Sequence, residues 1–268
     1  AAIEHAGEAN FGTHTWQLAS TLGTFLDRRG HWHDWAMTQD IALATAKRLA
    51  DRIGQAHAHS GLGLACTRLR RYPQAAEHLN RALDLFAELD DRIGQAYTHL
   101  RLCSVHEGLG HQSEAMHHAQ CALELYRAAG HRPGQAQALN NMGWYLSQLG
   151  EHWDAVAVCQ QAVALHLELG DQQGAAHTLD SLGYAYHQLG HHQQAITYYR
   201  QALVRLRDAG DAYYQAITLT HLGEAHAAAG QVDLAGEAWH DALAMLDELG
   251  HPDADAVQAK LRELKQAR

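Results

Sequence analysis

The sequence predicts an all-α protein built as a helical solenoid, and three observations carry that expectation. A unit of 40 residues recurs: GQAHAHSGLGLACTRL from Gly54, GQAYTHLRLCSVHEGLG from Gly94, GQAQALNNMGWYLSQLG from Gly134 and GAAHTLDSLGYAYHQLG from Gly174. Each unit has the pattern of two amphipathic helices, and a lone hairpin of this kind cannot bury its apolar face until neighbours stack on it. Only three prolines occur in 268 residues, and glycine sits at repeat-fixed positions instead of in clusters, so no flexible linker is visible. Length alone would admit one or two globular domains; the repeat favours one elongated array.

Residues 1–10 include Ile3-Glu4-His5-Ala6, which has the character of a helix tail, so the chain is expected to be a fragment of a longer protein. Six repeats follow at 11–50, 51–90, 91–130, 131–170, 171–210 and 211–250, with a capping helix at 251–268. In the first helix of each, the column Gly23, Gly63, Cys103, Gly143, Gly183, Gly223 is expected to let helix backbones approach closely, with Leu22, Leu62, Leu102, Met142, Leu182 and Leu222 before it. Gly30, Gly110, Gly150, Gly190 and Gly230 end the first helices, where a left-handed residue closes the turn. Pro73 fits just inside a helix start, where its missing N–H costs nothing. Ala75, Ala115, Ala155, Ala195 and Ala235 mark a small-residue contact column in the second helices; Trp35 breaks it, and Trp32 and Trp35 are expected on the surface at that end. Gly130, Gly170, Gly210 and Gly250 close the second helices, and Asp51, Asp91, Asp171 and Asp211 open the next units as N-caps. In the last stretch Ala256, Val257, Leu261 and Leu264 follow one face of a helix whose other faces are charged, as the end of a stack requires.

Composition narrows function. Twenty basic against thirty acidic residues give a formal charge of −10, which disfavours a nucleic-acid binder that must neutralise phosphates. No apolar run reaches 18 residues and the start lacks a signal peptide, so a cytoplasmic protein that does not enter the membrane is expected. The 23 histidines are expected to charge as pH falls from about 7 to about 6, erasing most of the negative balance. Cys66, Cys103, Cys121 and Cys159 form no CxxC pair and are expected as small, reduced core fillers. Histidine neighbours such as His57 and His59 or His117 and His118 point to different helix faces, so no metal site and no cofactor are expected. His177, Asp180 and His187 are the one set expected to approach one another. No nucleophile motif, phosphate loop or HExxH occurs, so no catalysis is expected.

The order Leu182-Gly183, Gly190, Ala195, Ala202, with Tyr186 and Tyr199 in aromatic slots, resembles the tetratricopeptide repeat, and Met142-Gly143, Gly150, Ala155, Ala162 repeat it. The common repeat has about 34 residues and ends in proline; here the unit is longer and Leu169-Gly170-Asp171 stands in place of that proline. The resemblance covers 11–250 and implies a right-handed superhelical solenoid that binds a protein or peptide on a concave surface lined by first helices. The stretch Thr15–Trp35 further resembles the C-terminal repeat region of AfsR/SARP-type NB-ARC (STAND) regulators. That resemblance implies an upstream ATPase and a DNA-binding domain in the same chain, although no motif of either lies within these 268 residues. A free-standing adaptor is the alternative.

On the resemblance, the first helices supply the candidate partner-binding residues: His57, Arg68, Tyr97, Arg101, Gln137, Asn140, Asn141, Trp144, His177, Asp180, Tyr184, His187 and His221. Amides can pair with a ligand's main chain, and Trp144 and Tyr184 can anchor side chains. Asn140, Asn141 and Trp144 are expected at the centre. Arg68 and Arg101 are the only cations among these positions, so the Lys/Asn pattern that clamps a C-terminal carboxylate is absent.

Overall fold

A computed structural model describes residues 12–266; the helix tail expected at 1–10 lies outside the described residues. These residues form α1 (Gly12–Arg28), α2 (Trp32–Arg48), α3 (Arg52–Arg68), α4 (Tyr72–Glu88), α5 (Arg92–Gly108), α6 (Gln112–Ala128), α7 (Arg132–Gln148), α8 (His152–Glu168), α9 (Gln172–Gln188), α10 (His192–Ala209), α11 (Ala212–Ala228), α12 (Val232–Leu249) and α13 (Ala254–Gln266). No strand occurs among the described residues. The expected all-α helical-repeat fold is present. The helices cluster into two compact units that meet in the first turn of α7, between Gly134 and Gln135. No composition break marks that point in the sequence.

In the first unit consecutive helices pack pairwise from α1 to α6, and first helices of neighbouring repeats also touch, α1 with α3 and α3 with α5. Its core is built at those junctions. Ala58 and Leu62 of α3 join Ala42 and Leu43 of α2, and Leu102 and Val105 of α5 join Ala75 and Leu79 of α4. In the second unit α8 to α13 pack in the same consecutive way, and α9 touches α11. Ala176 and Leu179 meet Ala202 and Leu206. Val257 and Leu261 of α13 are buried with Trp239, Ala242 and Leu246.

Helix boundaries follow local chemistry. After α5, Gly110 donates to Glu107 O at 2.9 Å and His111 to His106 O at 2.8 Å, with Gly110 at φ 76°; this paired closure satisfies carbonyls the helix would otherwise leave open. The same left-handed position is held without glycine by Ala50, Arg70 and Asp90. Asp51, Asp91 and Asp171 accept from the backbone N–H three residues on at 2.9 Å, and Asp211 does so at 3.2 Å. In the fourth repeat, where Asp is missing, His131 Nδ1 takes the Gly134 N–H at 3.0 Å.

Two expectations change. The glycine column makes room chiefly for side chains, with backbone approach second. A Cβ at Gly63 would lie 2.5 Å from Leu79 Cγ but 3.3 Å from Ala75 O, and one at Gly183 would lie 2.7 Å from the Tyr199 ring. Gly63, Gly183 and Gly223 thus each seat the large residue sixteen positions on, Leu79, Tyr199 and Trp239. Trp35 is buried, not exposed. Its indole lies against Gly23, while Gln39, which holds the Leu79 position of this repeat, donates to Ala19 O at 3.0 Å. Trp32 is half-buried.

Candidate partner-binding site

In the first unit the candidates sit on α3 and α5. His57 stacks flat on Trp16, with ring centroids 4.5 Å apart, and meets the edge of Phe86 at 5.3 Å. Burial, partly countered by Asp91 and aided by the charge of Arg101, pushes its pKa below the ordinary value. His57 is therefore part of a stack between repeats, not a free ligand group. Arg68 makes a two-pronged contact with Asp27 at 2.8 and 3.0 Å, tying α3 to α1. Arg101 differs. Its guanidinium lies 5.4 Å over the Tyr97 ring and donates to Ser60 Oγ, while its Nε is buried without a hydrogen-bond partner. No carboxylate among the described residues pairs with it. Tyr97 is 47% exposed.

In the second unit α7, α9 and α11 carry the rest. Trp144 and Tyr184 lie 5.0 Å apart at a tilt of 46°, and Tyr184 continues to His221 at 5.8 Å. Trp144 and Asn140 are one helical turn apart and share a face. The Oδ1 atom of Asn140 is buried without a partner; Asn140 and Asn141 are half-buried and Gln137 is exposed.

His177, Asp180 and His187 do not converge. Asp180, only 8% exposed, takes both its short contacts, 3.1 Å each, from Nδ1 of His221 on α11. His177 stacks on Tyr214 at 3.9 Å and brings Nε2 to 3.4 Å from Asp211 at the α11 cap. His187 faces His192 across the turn to α10, with Nδ1 atoms 3.3 Å apart. Each is captured by a different neighbouring element, and first-helix register alone cannot show this. Burial would depress the His221 pKa, but the Asp180 charge and hydrogen bond, with Glu224, outweigh it and raise the value. Burial, with the charges of Asp180 and Glu224, holds the Tyr199 phenol well above its usual range. Glu224 is itself paired to Lys260 at 2.7 Å.

Sequence reasoning missed two histidine pairs bridging the helices of one repeat, His59–His78 at 3.0 Å and His99–His118 at 2.9 Å between Nδ1 atoms. Their shared offset of 19 residues was the available signal. Among the described residues no three His, Cys, Asp or Glu side chains gather as a metal site. All four cysteines are free thiols; Cys66, Cys103 and Cys159 are buried and Cys121 is partly exposed.

Tetratricopeptide-repeat models match residues 54–128, 135–169 and 176–203, together just over half of the chain. No curated protein matches in sequence. Among solved structures the chain is similar to a Rap protein complexed with competence and sporulation factor, at 17% identity and TM-score 0.69, covering 94% of this chain and 75% of that one. It is similar to the apo quorum sensor NprR from B. thuringiensis, at 15% identity and TM-score 0.63 over 95% and 70% of the two chains. It also resembles a signal transduction ATPase with numerous domains (STAND) bearing a tetratricopeptide repeat sensor, from Pyrococcus horikoshii. There the identity is 14%, the TM-score 0.59, and the coverage 97% of this chain but 49% of that one. At such identities the likeness speaks for the fold.

Proposed function

Since the chain belongs to the tetratricopeptide-repeat family, we propose that it is a non-catalytic protein- or peptide-binding domain whose ligand lies along the first helices. The observation that carries this is on α7 and α9: the buried, unpartnered Asn140 oxygen on the same face as Trp144, which packs at 5.0 Å against Tyr184. A buried amide oxygen without a partner costs roughly 1–3 kcal/mol, and a ligand main-chain N–H would satisfy it. The adjoining rings offer flat apolar area at low entropic cost, the usual character of an anchor. A Rap protein of similar fold, solved in complex with competence and sporulation factor, supports the reading.

The test is binding of the 268-residue chain to an array of linear peptides, compared with Asn140→Ala and Trp144→Phe. Binding that falls at least tenfold in Asn140→Ala, with helicity and melting temperature unchanged, supports the site. Unaltered affinity moves it elsewhere.

The finer reading is that these repeats form the sensor of a larger NB-ARC-type transcriptional regulator, working in the cytoplasm and biasing an ATPase and a DNA-binding domain of its own chain. The STAND neighbour, about half of whose length the chain covers, supports it. Free thiols and the lack, among the described residues, of a helix long and apolar enough to cross a membrane agree with that setting. The size of the endogenous protein, with its sequence ahead of Ala1, decides. A phosphate loop and a basic helix-turn-helix there support the regulator; a start codon just before Ala1 leaves a free-standing adaptor.

A further inference from the structure

Arg101 carries a charge that the fold encloses in part and does not neutralise. Its guanidinium lies 5.4 Å over the Tyr97 ring, Nη1 donates to Ser60 Oγ on α3, and Nε is buried without a partner. Burial lowers its pKa, with the Tyr97 and Tyr126 phenols acting the other way. A guanidinium stays protonated in such surroundings, so the charge persists. Taking a cation out of water without a counter-charge is costly, and buried charges are ordinarily paired. Among the described residues no carboxylate counters this one. Arg101 is half-buried and Tyr97 is 47% exposed, so this face of α5 meets solvent.

The chain itself shows what belongs beside such a cation. Arg101 and Ser60 are 41 residues apart and join neighbouring first helices, α5 and α3. Three repeats on, the same register positions are His221 and Asp180, and there both Asp180 oxygens lie 3.1 Å from His221 Nδ1. A step of 41 residues also joins Arg68 to Asp27, through contacts of 2.8 and 3.0 Å. At the other steps of the Ser60–Arg101 register both positions are uncharged: Ser20 with Gly61, Leu100 with Asn141, Asn140 with Ser181. Two cations that reach across this step meet an aspartate; Arg101 meets a serine.

We propose that Arg101 anchors a carboxylate side chain, Asp or Glu, of a bound peptide, which supplies from outside the charge that Asp180 supplies to His221 from within. The inference rests on the peptide-binding reading and adds to it the charge of the ligand and a contact on α5. Tyr97, one turn before Arg101 on the same face, gives the neighbouring part of the ligand a ring to lie on. A guanidinium flanked by a neutral hydroxyl suits one negative charge. A phosphate, at about −2, is ordinarily met by a cluster of cations.

Two measurements on the 268-residue chain test it. In the first, the Arg101 Nε–H resonance, assigned with Arg101→Lys, is followed while N-acetyl-glutamate α-amide is added. That probe offers one side-chain carboxylate; N-acetyl-glutamine amide and inorganic phosphate are the comparisons. The expected result is a saturable shift with the acid, none with the neutral amide and a weaker response to phosphate. Ser60→Asp, which places the carboxylate within the chain, should abolish the response to the acid, while the uncharged isostere Ser60→Asn should keep it. No shift with the acid, or the same shift with the neutral amide, overturns the proposal. A stronger response to phosphate also overturns it and assigns the site to a phosphorylated ligand. In the second, peptides that bind the chain in an array are remade with blocked ends and with each Asp or Glu changed to Asn or Gln. One such change should weaken binding at least tenfold in the native chain and less than twofold in Arg101→Gln. Peptides whose binding depends on no carboxylate overturn the Arg101 site and leave the peptide-binding reading intact. A saturable response to the acid in a chain that binds no peptide supports the carboxylate site and places the failure in the peptide-binding reading.

Discussion

The two Nδ1-to-Nδ1 histidine pairs each need one imidazole to donate and the other to accept, so neither pair tolerates a proton on both rings. Burial first, then the His78 ring, Lys47 and Arg81, lower His59 to a pKa of about 4. Burial, then His99, His106 and His117, bring His118 to about 4 as well. Asp40 and Glu77 pull His78 the other way without reversing its downward shift. These folded values lie below the unfolded value of about 6.5, so the unfolded chain binds more protons between about pH 6.5 and 4, and the stabilisation present above that window is lost as pH falls through it. Both sites are half-exposed, so solvent screening limits the loss to the order of 1 kcal/mol each, a few degrees of melting temperature. Melting curves at pH 7 and 5 should show that fall, and His59→Gln with His118→Gln should flatten it; an unchanged slope would put the sensitivity elsewhere. His221 has the opposite sign, because Asp180 holds its charged form. Imidazole resonances followed through a titration should place His221 above the ordinary value, and Asp180→Asn should lower it. The sequence placed His221 and Asp180 on the same surface but could not show that they neutralise each other, since their offset of 41 residues acquires meaning only when α9 and α11 touch.

At the scale of the element, helix ends were largely legible and helix contacts were not. An aspartate or glycine acts on its own turn, so Asp91 and Gly110 perform locally what their chemistry implies. The seat that Gly183 offers Tyr199 depends on a helix that approaches from elsewhere, and it was misjudged as a backbone contact. The same separation decides which substitutions should help. Ala50, Arg70 and Asp90 sit at φ 53°, 57° and 54° where other repeats place glycine. A side chain in the left-handed region costs about 1–2 kcal/mol, offset in part by the greater freedom of glycine in the unfolded chain. Arg70→Gly should therefore stabilise by about 1 kcal/mol and Gly110→Ala destabilise by a similar amount. Asp91→Ala, which removes the acceptor for the Gly94 N–H, should cost about 1 kcal/mol. Denaturant midpoints check all three, and a destabilising Arg70→Gly would mean that the arginine makes a compensating contact.

At the scale of the whole molecule, the fold was legible because one unit repeats in register, so each copy reinforces the assignment of the others. The proton balance was not. Composition gives 23 histidines against a charge of −10 and suggests that the negative balance disappears near pH 6. The fold holds seven of them, His57, His59, His78, His99, His106, His118 and His187, below the ordinary value, with burial the first cause in each, and raises His221. The folded chain must then take up fewer protons between about pH 7 and 5 than the same chain unfolded, and linkage makes that deficit the slope of stability against pH. Native isoelectric focusing should place the protein at a lower pH than focusing in concentrated urea. The deficit from potentiometric titration of the two states should reproduce the melting-temperature fall in sign and range. Coincident isoelectric points would show that these histidines titrate as freely in the fold as in the open chain, and the acid sensitivity assigned to the His59–His78 and His99–His118 pairs would go with them.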